Sequence, residues 1–262
     1  MIQTYARNIP LFYLFRILGQ LEFTIAIYAV FLLASGLSIT QIMTLEAIFM
    51  LVTLALEVPS GVFADFYGRK TTLILAQIMA ASSFIVFGLS SHFGGFLIAN
   101  ILIGITLALF SGADRAFVYD TLKQIKKTSS YTKIMGRVSA IQTVGWASMS
   151  FIGGTLAAII GYRPLFFLSA AAFFLSALCG LLLKEPPLQT PHTNYIQHLK
   201  EAVRFAWTHK KIRVRMLYFA VLGACTHMAW ILLQTLYMEP QVLKYSIGVY
   251  FLFFGIGSFF CA

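Results

Sequence analysis

The sequence predicts an all-α, multi-span membrane protein on the strength of three observations. Hydrophobic residues make up 59% of the 262 residues, and the mean hydropathy is +0.83, whereas soluble domains are close to half apolar. Apolar runs of roughly the ~20 residues needed to cross ~30 Å of hydrocarbon recur along the chain. Lysine and arginine cluster in alternate connections between these runs, as they do in membrane proteins of fixed orientation.

Seven apolar runs are long enough to span a bilayer, and an eighth occupies the end of the sequence. The predicted spans are Pro10–Ala34, Ile39–Pro59, Thr71–Ser90, Gly95–Phe117, Val138–Ile160, Pro164–Leu183, Val214–Tyr237 and Ser246–Ala262. Ser38 and Gln41 have the spacing of a capping box, which predicts the start of the second span. The first and second spans are therefore expected to form an antiparallel hairpin.

Small residues recur at intervals of four positions, or in one case eight, in the fourth and fifth spans. This spacing places them on one face of each helix, where they favour close helix packing in lipid. The positions are Asn100, Gly104, Ala108 and Gly112 in the fourth span and Gly145, Gly153, Ala157 and Gly161 in the fifth.

The formal charge of +10 is explained by membrane topology. One set of connections holds only Arg163 and Lys244 as cations, while the alternate set holds the basic clusters. The positive-inside rule then places the N-terminus and the Gly61–Lys70 connection in the cytoplasm, with the chain in a cell (inner) membrane. A nucleic-acid partner is not needed to account for the charge.

A charged connection, Gly61–Lys70, separates the second and third spans. Gly61 and Gly68 permit positive φ in a tight turn, and Pro59 disfavours an uninterrupted helix. Asp65 offers a carboxylate to Arg69 or Lys70, or to a helix N-terminus. The alternative from these residues alone is an ordinary charged turn that keeps the connection in water.

The full spacing of this connection resembles the loop signature of the major facilitator superfamily of transporters. The matching positions are Gly61, Asp65, Gly68, Arg69 and Lys70, and Phe66 departs from the pattern, where a basic residue is usual. The preceding Glu57-Val58-Pro59 is similar to one branch of that family. The resemblance implies two six-helix halves that rock around a central cavity to move a small solute.

Three further charged residues are candidates for a latch beside the connection: Glu57, Asp120 and Arg137. Asp120 and Arg137 are expected to pair with each other or with Arg69, and such pairs would be made in one transport state and broken in another. Solvated interfacial charge is the alternative, because exposed ion pairs contribute ~0–1 kcal/mol.

Charged side chains inside the spans are candidate functional groups, since each costs ~3 kcal/mol or more in hydrocarbon unless it is paired or neutralised. Arg16 shares a helical face with Gln20, while Glu22 points elsewhere. Arg16 is expected either to line a cavity or to snorkel to lipid headgroups. Glu22 and Glu46 are read either as a protonated, hydrogen-bonded pair or as a proton relay.

The resemblance also implies that the first, fourth and seventh spans line the substrate pathway. The cavity candidates are Arg16, Gln20, Glu22, Asn100, Thr226, His227 and Gln234. Asn100 stands where many proton-coupled members carry an arginine, and Met149-Ser150 precedes Gly153 where many drug antiporters carry Gly-Pro. Proton coupling through that arginine is therefore not expected, and efflux is not supported by a motif.

Three regions are expected along the chain: a six-helix half (1–183), a cytoplasmic linker with an amphipathic helix (184–213) and the start of a second half (214–262). The predicted function is secondary active transport of a small solute by alternating access, with efflux as a candidate direction and the proton as the candidate coupling ion. The lipid bilayer is the other expected partner. The alternatives are a non-transporting remnant or assembly module, and a seven-helix receptor-like protein. The chain is expected to be an incomplete fragment that does not transport by itself.

No enzyme, cofactor or metal site is expected from the sequence. It holds no hydrolytic triad and no Walker loop. Its three cysteines, Cys179, Cys225 and Cys261, are isolated within apolar runs and have no metal or redox spacing.

Overall fold

The computed structural model describes residues 5–187, 200–201, 204–205 and 207–236, and this part of the chain is helical, with no β-strand. The helices are α1 (Asn8–Leu18), α2 (Tyr28–Ala34), α3 (Ile39–Tyr67), α4 (Arg69–Leu89), α5 (Phe93–Phe110), α6 (Ala113–Gln124), α7 (Tyr131–Ile160), α8 (Arg163–Leu181) and α9 (Lys210–Leu236). The prediction of an all-α polytopic protein is confirmed. The predicted eighth span and most of the predicted linker helix lie outside the described residues.

Five segments of the described chain are long and apolar enough to cross a membrane. They are Ile39–Tyr67, Arg69–Leu89, Phe93–Gln124, Thr128–Ile160 and Arg163–Leu181. Successive spans run in opposite directions, so the bundle has two ends. We call them the Gly68 end, where α3 meets α4, and the Ser35 end, where α2 meets α3.

The first predicted span is not one helix. Helix α1 ends at Leu18, and residues 19–27 form turns before α2 begins at Tyr28. The Phe23 N–H donates to Ser169 Oγ on α8 at 2.9 Å, so a tertiary partner replaces a helical one. On α7, a Cβ at Gly153 would overlap the Phe23 carbonyl. The prediction of continuous helix over Pro10–Ala34 was wrong because neighbouring helices satisfy and accommodate the non-helical backbone.

Helix α3 does not stop at Pro59. It continues to Tyr67, and Gly61 lies inside it with helical geometry, so the predicted turn at Gly61 was wrong. Membrane helices tolerate proline where side chains and neighbours satisfy the freed backbone groups. Pro59 leaves the Ala55 carbonyl without its usual N–H donor, and the next residue, Ser60, donates its hydroxyl to the carbonyl of Glu57 at 3.0 Å. The connection between α3 and α4 is therefore the single residue Gly68 rather than Gly61–Lys70. Its φ of 102° requires glycine.

The fourth predicted span is broken at Ser111-Gly112, between α5 and α6. Gly112 has a φ of 77° and Gly161 one of 81°, so both glycines form turns rather than extend the packing stripes predicted for them. Gly104 does pack as the stripe predicts, because a Cβ there would lie 3.0 Å from the Phe49 carbonyl on α3. The Ser38–Gln41 capping box at the start of α3 is confirmed.

Helix α4 is the centre of the bundle and packs most extensively against α8 and α5. Aromatic rings fill the Ser35 end, where Phe31 and Phe166 have ring centroids 4.6 Å apart and Phe84 stacks on Phe173 at 5.1 Å. A second apolar cluster around Phe12 and Phe117 fills the Gly68 end. Helix α9 lies against α2 and α3.

Candidate functional site

Charged residues from three helices meet at the Gly68 end. Arg69, the first residue of α4, contacts Asp65 one turn earlier on α3, and its Nε lies 3.9 Å from Asp120 Oδ2 on α6. The side chains are 23% exposed for Arg69, 35% for Asp65 and 29% for Asp120. One guanidinium thus joins two carboxylates on two other helices. We call Asp65, Arg69 and Asp120 the rim triad.

The other two latch candidates lie apart from this contact. Glu57 Oε1 accepts a hydrogen bond from Ser111 Oγ at 2.7 Å, next to the break between α5 and α6. Arg137 is exposed on α7. Within the described chain it belongs to no ion pair, so the expected Asp120–Arg137 pairing is not formed, and Asp120 faces Arg69 instead.

Glu185 caps α4, a role that the sequence analysis did not assign. Its Oε1 accepts from the backbone N–H of Arg69 at 2.8 Å, and its Oε2 accepts from Lys70 N at 3.0 Å and Thr71 N at 3.4 Å. A carboxylate there satisfies free N–H groups and complements the positive end of the helix dipole. Burial raises the pKa of Glu185 above its ordinary value, and the backbone hydrogen bonds from Lys70, Arg69 and Thr71 oppose that rise.

Gly68 and Asn8 hold Glu185 in place. A Cβ at Gly68 would lie 2.5 Å from Glu185 Oε2, so glycine is required there for space as well as for conformation. The buried amide of Asn8 exchanges two hydrogen bonds with the Lys184 backbone, donating from Nδ2 to the carbonyl at 2.8 Å and accepting from the N–H at 2.9 Å. The start of α1, the start of α4 and the chain after α8 therefore meet at one point.

Arg16 lies inside the bundle rather than at its surface. Its side chain is 7% exposed, its Nη2 donates to Gln142 Oε1 on α7 at 3.3 Å, and its Nη1 lies 4.0 Å from Asp114 Oδ2 on α6. The guanidinium also stacks over the Phe110 ring at 4.8 Å. Its Nε is buried with no hydrogen-bond partner. These contacts are inconsistent with snorkelling of Arg16 to lipid headgroups.

Gln20 and Glu22 lie in the non-helical segment 19–27, so the helical face assumed for Arg16 and Gln20 is interrupted. Gln20 packs on α7, where a Cβ at Gly145 would lie 2.7 Å from Gln20 Cβ, and its buried Oε1 has no hydrogen-bond partner. The carboxylate of Glu22 accepts from the Thr24 hydroxyl at 3.4 Å.

Glu46 and Asn100 are brought together by Tyr28, the first residue of α2. Tyr28 Oη lies 2.7 Å from Glu46 Oε1 on α3 and 3.1 Å from Asn100 Oδ1 on α5. Glu46 and Asn100 are each 2% exposed. The expectation that Glu46 pairs with Glu22 is replaced by these contacts to a tyrosine.

Of the three cavity candidates on α9, only Thr226 has a side chain within the described part of the structure. Thr226 is exposed, and its hydroxyl donates to the Leu222 carbonyl one turn earlier at 3.0 Å. The side chains of His227 and Gln234 lie outside the described residues. None of the three is placed beside Arg16 or Glu46 by a described contact.

The fold agrees with the family comparison. A family model described as Major Facilitator Superfamily matches residues 11–262. The chain belongs to the Major Facilitator Superfamily. It is thus a multi-pass membrane protein of a transporter class rather than an enzyme class, and the receptor-like alternative is set aside.

Curated relatives within the superfamily include drug-resistance proteins. The chain is 31% identical over 153 residues to "Multidrug resistance protein 2" of Bacillus subtilis, covering 55% of this chain and 37% of that protein. It is 26% identical over 188 residues to an uncharacterized MFS-type transporter of Methanocaldococcus jannaschii, covering 72% of this chain and 47% of that protein. The chain therefore spans less than half the length of these relatives.

Solved structures share the fold at low sequence identity. The nucleoside transporter NupG superposes with a TM-score of 0.69 at 14% identity, over 92% of this chain and 60% of that one. The human organic anion transporter MFSD10 superposes with a TM-score of 0.56 at 19% identity, over 76% of this chain and 53% of that one. At these identities the likeness shows the architecture alone.

Sequence reasoning missed Glu185, Asp114 and Gln142 as site residues. Asp114 was detectable, because it is a charged residue within the fourth predicted span, as Arg16 is within the first. Glu185 carried a weaker signal, an acid placed directly after the sixth span. Gln142 had none beyond being an amide in an apolar run, since its relation to Arg16 is set by packing across 126 residues.

Proposed function

We propose that this protein is a secondary transporter that moves small organic solutes across the cell membrane by alternating access. The observation that carries the proposal is Arg16, a guanidinium buried inside a membrane-spanning bundle with an unpartnered Nε. Burying such a charge is costly, and intramembrane charges usually mark substrate or ion pathways. The described helices would form one wall of the pathway.

The surroundings of Arg16 indicate the kind of solute. Asp114 at 4.0 Å balances the charge without a close contact, and Phe110 offers an apolar ring face. Such a site suits an organic molecule with an apolar body and a polar group that binds the guanidinium. The drug-resistance relatives support export as the direction.

The rim triad is the proposed conformational latch. Its ion pairs are partly exposed, so each contributes little to stability and can be exchanged between states. Such pairs, made in one state and broken in the other, are a common switching device.

A dye-efflux assay in proteoliposomes containing the natural protein tests the proposal. Arg16→Gln removes the charge and is expected to lower the transport rate at least tenfold, while Arg16→Lys retains part of it. Lys133→Gln, which removes an exposed cation from α7, is the matched control and should transport like the wild type. If Arg16→Gln transports with wild-type kinetics, Arg16 does not take part in the transport pathway. Absence of saturable transport by the unaltered protein would favour the non-transporting remnant or assembly module.

The orientation is a separate proposal, with the Gly68 end and the N-terminus in the cytoplasm. It rests on the basic residues between α6 and α7 and on the positive-inside rule. Lys127→Cys and His92→Cys, each in a background without native cysteines, place exposed thiols at opposite ends of the bundle. In intact cells an impermeant thiol reagent is expected to label only His92→Cys, and labelling of Lys127→Cys instead would reverse the orientation.

A further inference from the structure

We propose that Glu57 is a binding site for the ammonium group of an organic amine, formed on α3 beside the break between α5 and α6. The part that this site plays in transport rests on the proposed function, whereas the binding of an amine does not. Glu57 was a latch candidate from the sequence, but its described contact is with Ser111 and lies apart from the rim triad.

Glu57 lies inside the membrane-spanning part of α3. This helix has 29 residues, so it is about 43 Å long and would extend ~7 Å beyond ~30 Å of hydrocarbon at each end. Glu57 precedes the last residue, Tyr67, by ten positions, or about 15 Å of helix, which puts it ~8 Å within the hydrocarbon region. Glu57 is nevertheless exposed. An ionisable group at this depth faces a water-filled cavity or a partner rather than lipid.

The carboxylate of Glu57 uses only part of its capacity to accept hydrogen bonds. Its Oε1 accepts from Ser111 Oγ at 2.7 Å. Within the described part of the chain it makes no other hydrogen bond and no ion pair. A carboxylate has acceptor sites for about four donors. Most of the sites on Glu57 are therefore open to a ligand.

The cations on neighbouring helices have other contacts. The guanidinium of Arg16 lies 4.0 Å from Asp114 Oδ2, so the charge of Arg16 is already balanced. Arg115 donates its backbone N–H to Asp114 at 2.6 Å, and among the described residues its side chain forms no ion pair with Glu57. The described helices thus leave the negative charge of Glu57 to be neutralised by another group.

Open space adjoins the carboxylate. Gly61 lies one turn after Glu57 on the same face of α3, and a Cβ there would meet no neighbouring atom within 4 Å. The same is true of Gly112, which follows Ser111 at the helix break. Leu54, one turn before Glu57, is 44% exposed. The carboxylate therefore lies between an exposed apolar side chain and two positions without side chains, which leaves room for a ligand.

These features define the chemistry of the ligand. An ammonium group carries the opposite charge and donates charge-assisted hydrogen bonds to a carboxylate. The exposed Leu54 suits an apolar body attached to that group. Divalent metal ions take roughly six oxygen ligands or more, whereas the described residues offer here one carboxylate and the Ser111 hydroxyl. The ligand class is therefore an organic amine.

Fluorescence polarisation with dansylcadaverine, an amine with an apolar body, tests the site in the natural protein in a non-ionic detergent. The N-acetyl derivative has the same body without the charge and is the ligand control. We expect the wild type to bind the amine at least tenfold more tightly than the N-acetyl derivative, because only the amine neutralises Glu57. Glu57→Gln should lose this preference, and its amide oxygen still accepts from Ser111, which retains the local fold.

Lys133→Gln removes an exposed cation from α7 and is the protein control, which should keep the preference for the amine. Equal dissociation constants of the two ligands in the wild type would overturn the amine site. An unchanged preference in Glu57→Gln would overturn it as well.

Gly61 provides a second test that leaves the charge in place. Leucine at this position fills the open space one turn from Glu57, and it does so without backbone strain because Gly61 has helical geometry. Gly61→Leu should weaken amine binding at least tenfold, while Gly61→Ala, which adds only one methyl group to the open space, should bind like the wild type. Amine binding of wild-type strength in Gly61→Leu would overturn the proposed position of the ligand.

Uptake of dansylcadaverine into proteoliposomes tests the part of the site in transport. The wild type should carry the amine saturably, and Glu57→Gln should carry it at least tenfold more slowly. If the wild type binds the amine but transports no solute, the proposed function fails and the binding site remains. If the wild type transports the amine and Glu57→Gln does so at the same rate, the role of Glu57 in transport is overturned.

Discussion

The carboxylate of Glu185 accepts the backbone N–H of Arg69 at 2.8 Å, which joins the chain after α8 to the start of α4. The opposite end of α4 is held by the residue that begins α8. Arg163 donates from Nη1 to the Gly88 carbonyl at 2.7 Å and from Nη2 to the Ser90 carbonyl at 2.8 Å. Both ends of α4 are thus capped by side chains flanking α8, with an anion at its N-terminus and a cation at its C-terminus, as the helix dipole favours.

Removing the Glu185 cap should destabilise the bundle. Glu185→Ala leaves the first N–H groups of α4 without their acceptor, so we expect a loss of about 1 kcal/mol in the free energy of unfolding. Glu185→Gln keeps one oxygen acceptor and should lose less. Denaturant unfolding in detergent measures both, with the exposed Lys133→Gln as control. Equal stability of Glu185→Ala and the control would show that the cap contributes nothing.

The contribution of Glu185 to stability should depend on pH in a defined direction. Because burial raises its pKa in the folded protein above the unfolded value, the folded state binds more protons in the interval between the two pKa values. The stability of the wild type relative to Glu185→Gln should therefore be greatest at pH values below the ordinary pKa of glutamate. It should fall as the pH rises through the raised pKa of the folded state. A difference that grows with pH would mean that the capping N–H groups outweigh burial.

The two acids of the rim triad should not be equivalent. Asp65 contacts Arg69 directly, while Asp120 Oδ2 lies 3.9 Å from its Nε. We expect Asp65→Asn to slow transport more than Asp120→Asn, and both to leave membrane insertion unchanged because such exposed pairs contribute at most ~1 kcal/mol. Transport rates normalised to inserted protein measure this, with Lys133→Gln as control. If Asp65→Asn transports at the wild-type rate, the rim triad is solvated interfacial charge with no role in the conformational change.

Two adjacent glycines on α7 provide a matched test of the non-helical segment. A methyl group at Gly153 would overlap the Phe23 carbonyl, whereas Gly154 has no atom within 4 Å of its added Cβ. Gly153→Ala should destabilise the protein by ~1–3 kcal/mol through overpacking. Gly154→Ala should be neutral or stabilising by up to ~1 kcal/mol, since alanine favours helix. Thermal unfolding compares the two, and equal effects would mean that segment 19–27 does not rest on α7.

What could be predicted from the sequence depends on residues close to one another along the chain. Hydropathy located the spans, the Ser38–Gln41 spacing located the start of α3, and the short charged connection predicted that Asp65 contacts Arg69. Each of these features depends on neighbours within about two turns. The loop signature likewise indicated the superfamily that the family comparison shows.

Tertiary structure decided the breaks and the partners. Segment 19–27 lies within an apolar run that hydropathy predicts as one span, and Ser169 on α8 and Gly153 on α7 accommodate its non-helical course. The bonds from Asn8 to Lys184, Arg16 to Gln142 and Tyr28 to Asn100 link positions 176, 126 and 72 residues apart. The physical reason is that a buried polar group takes whichever partner packing brings within hydrogen-bonding distance, and no local pattern encodes that choice. The sequence by itself therefore determined which segments cross a membrane as helices, and the packing of those helices determined where the helices break and which partners the buried polar groups contact.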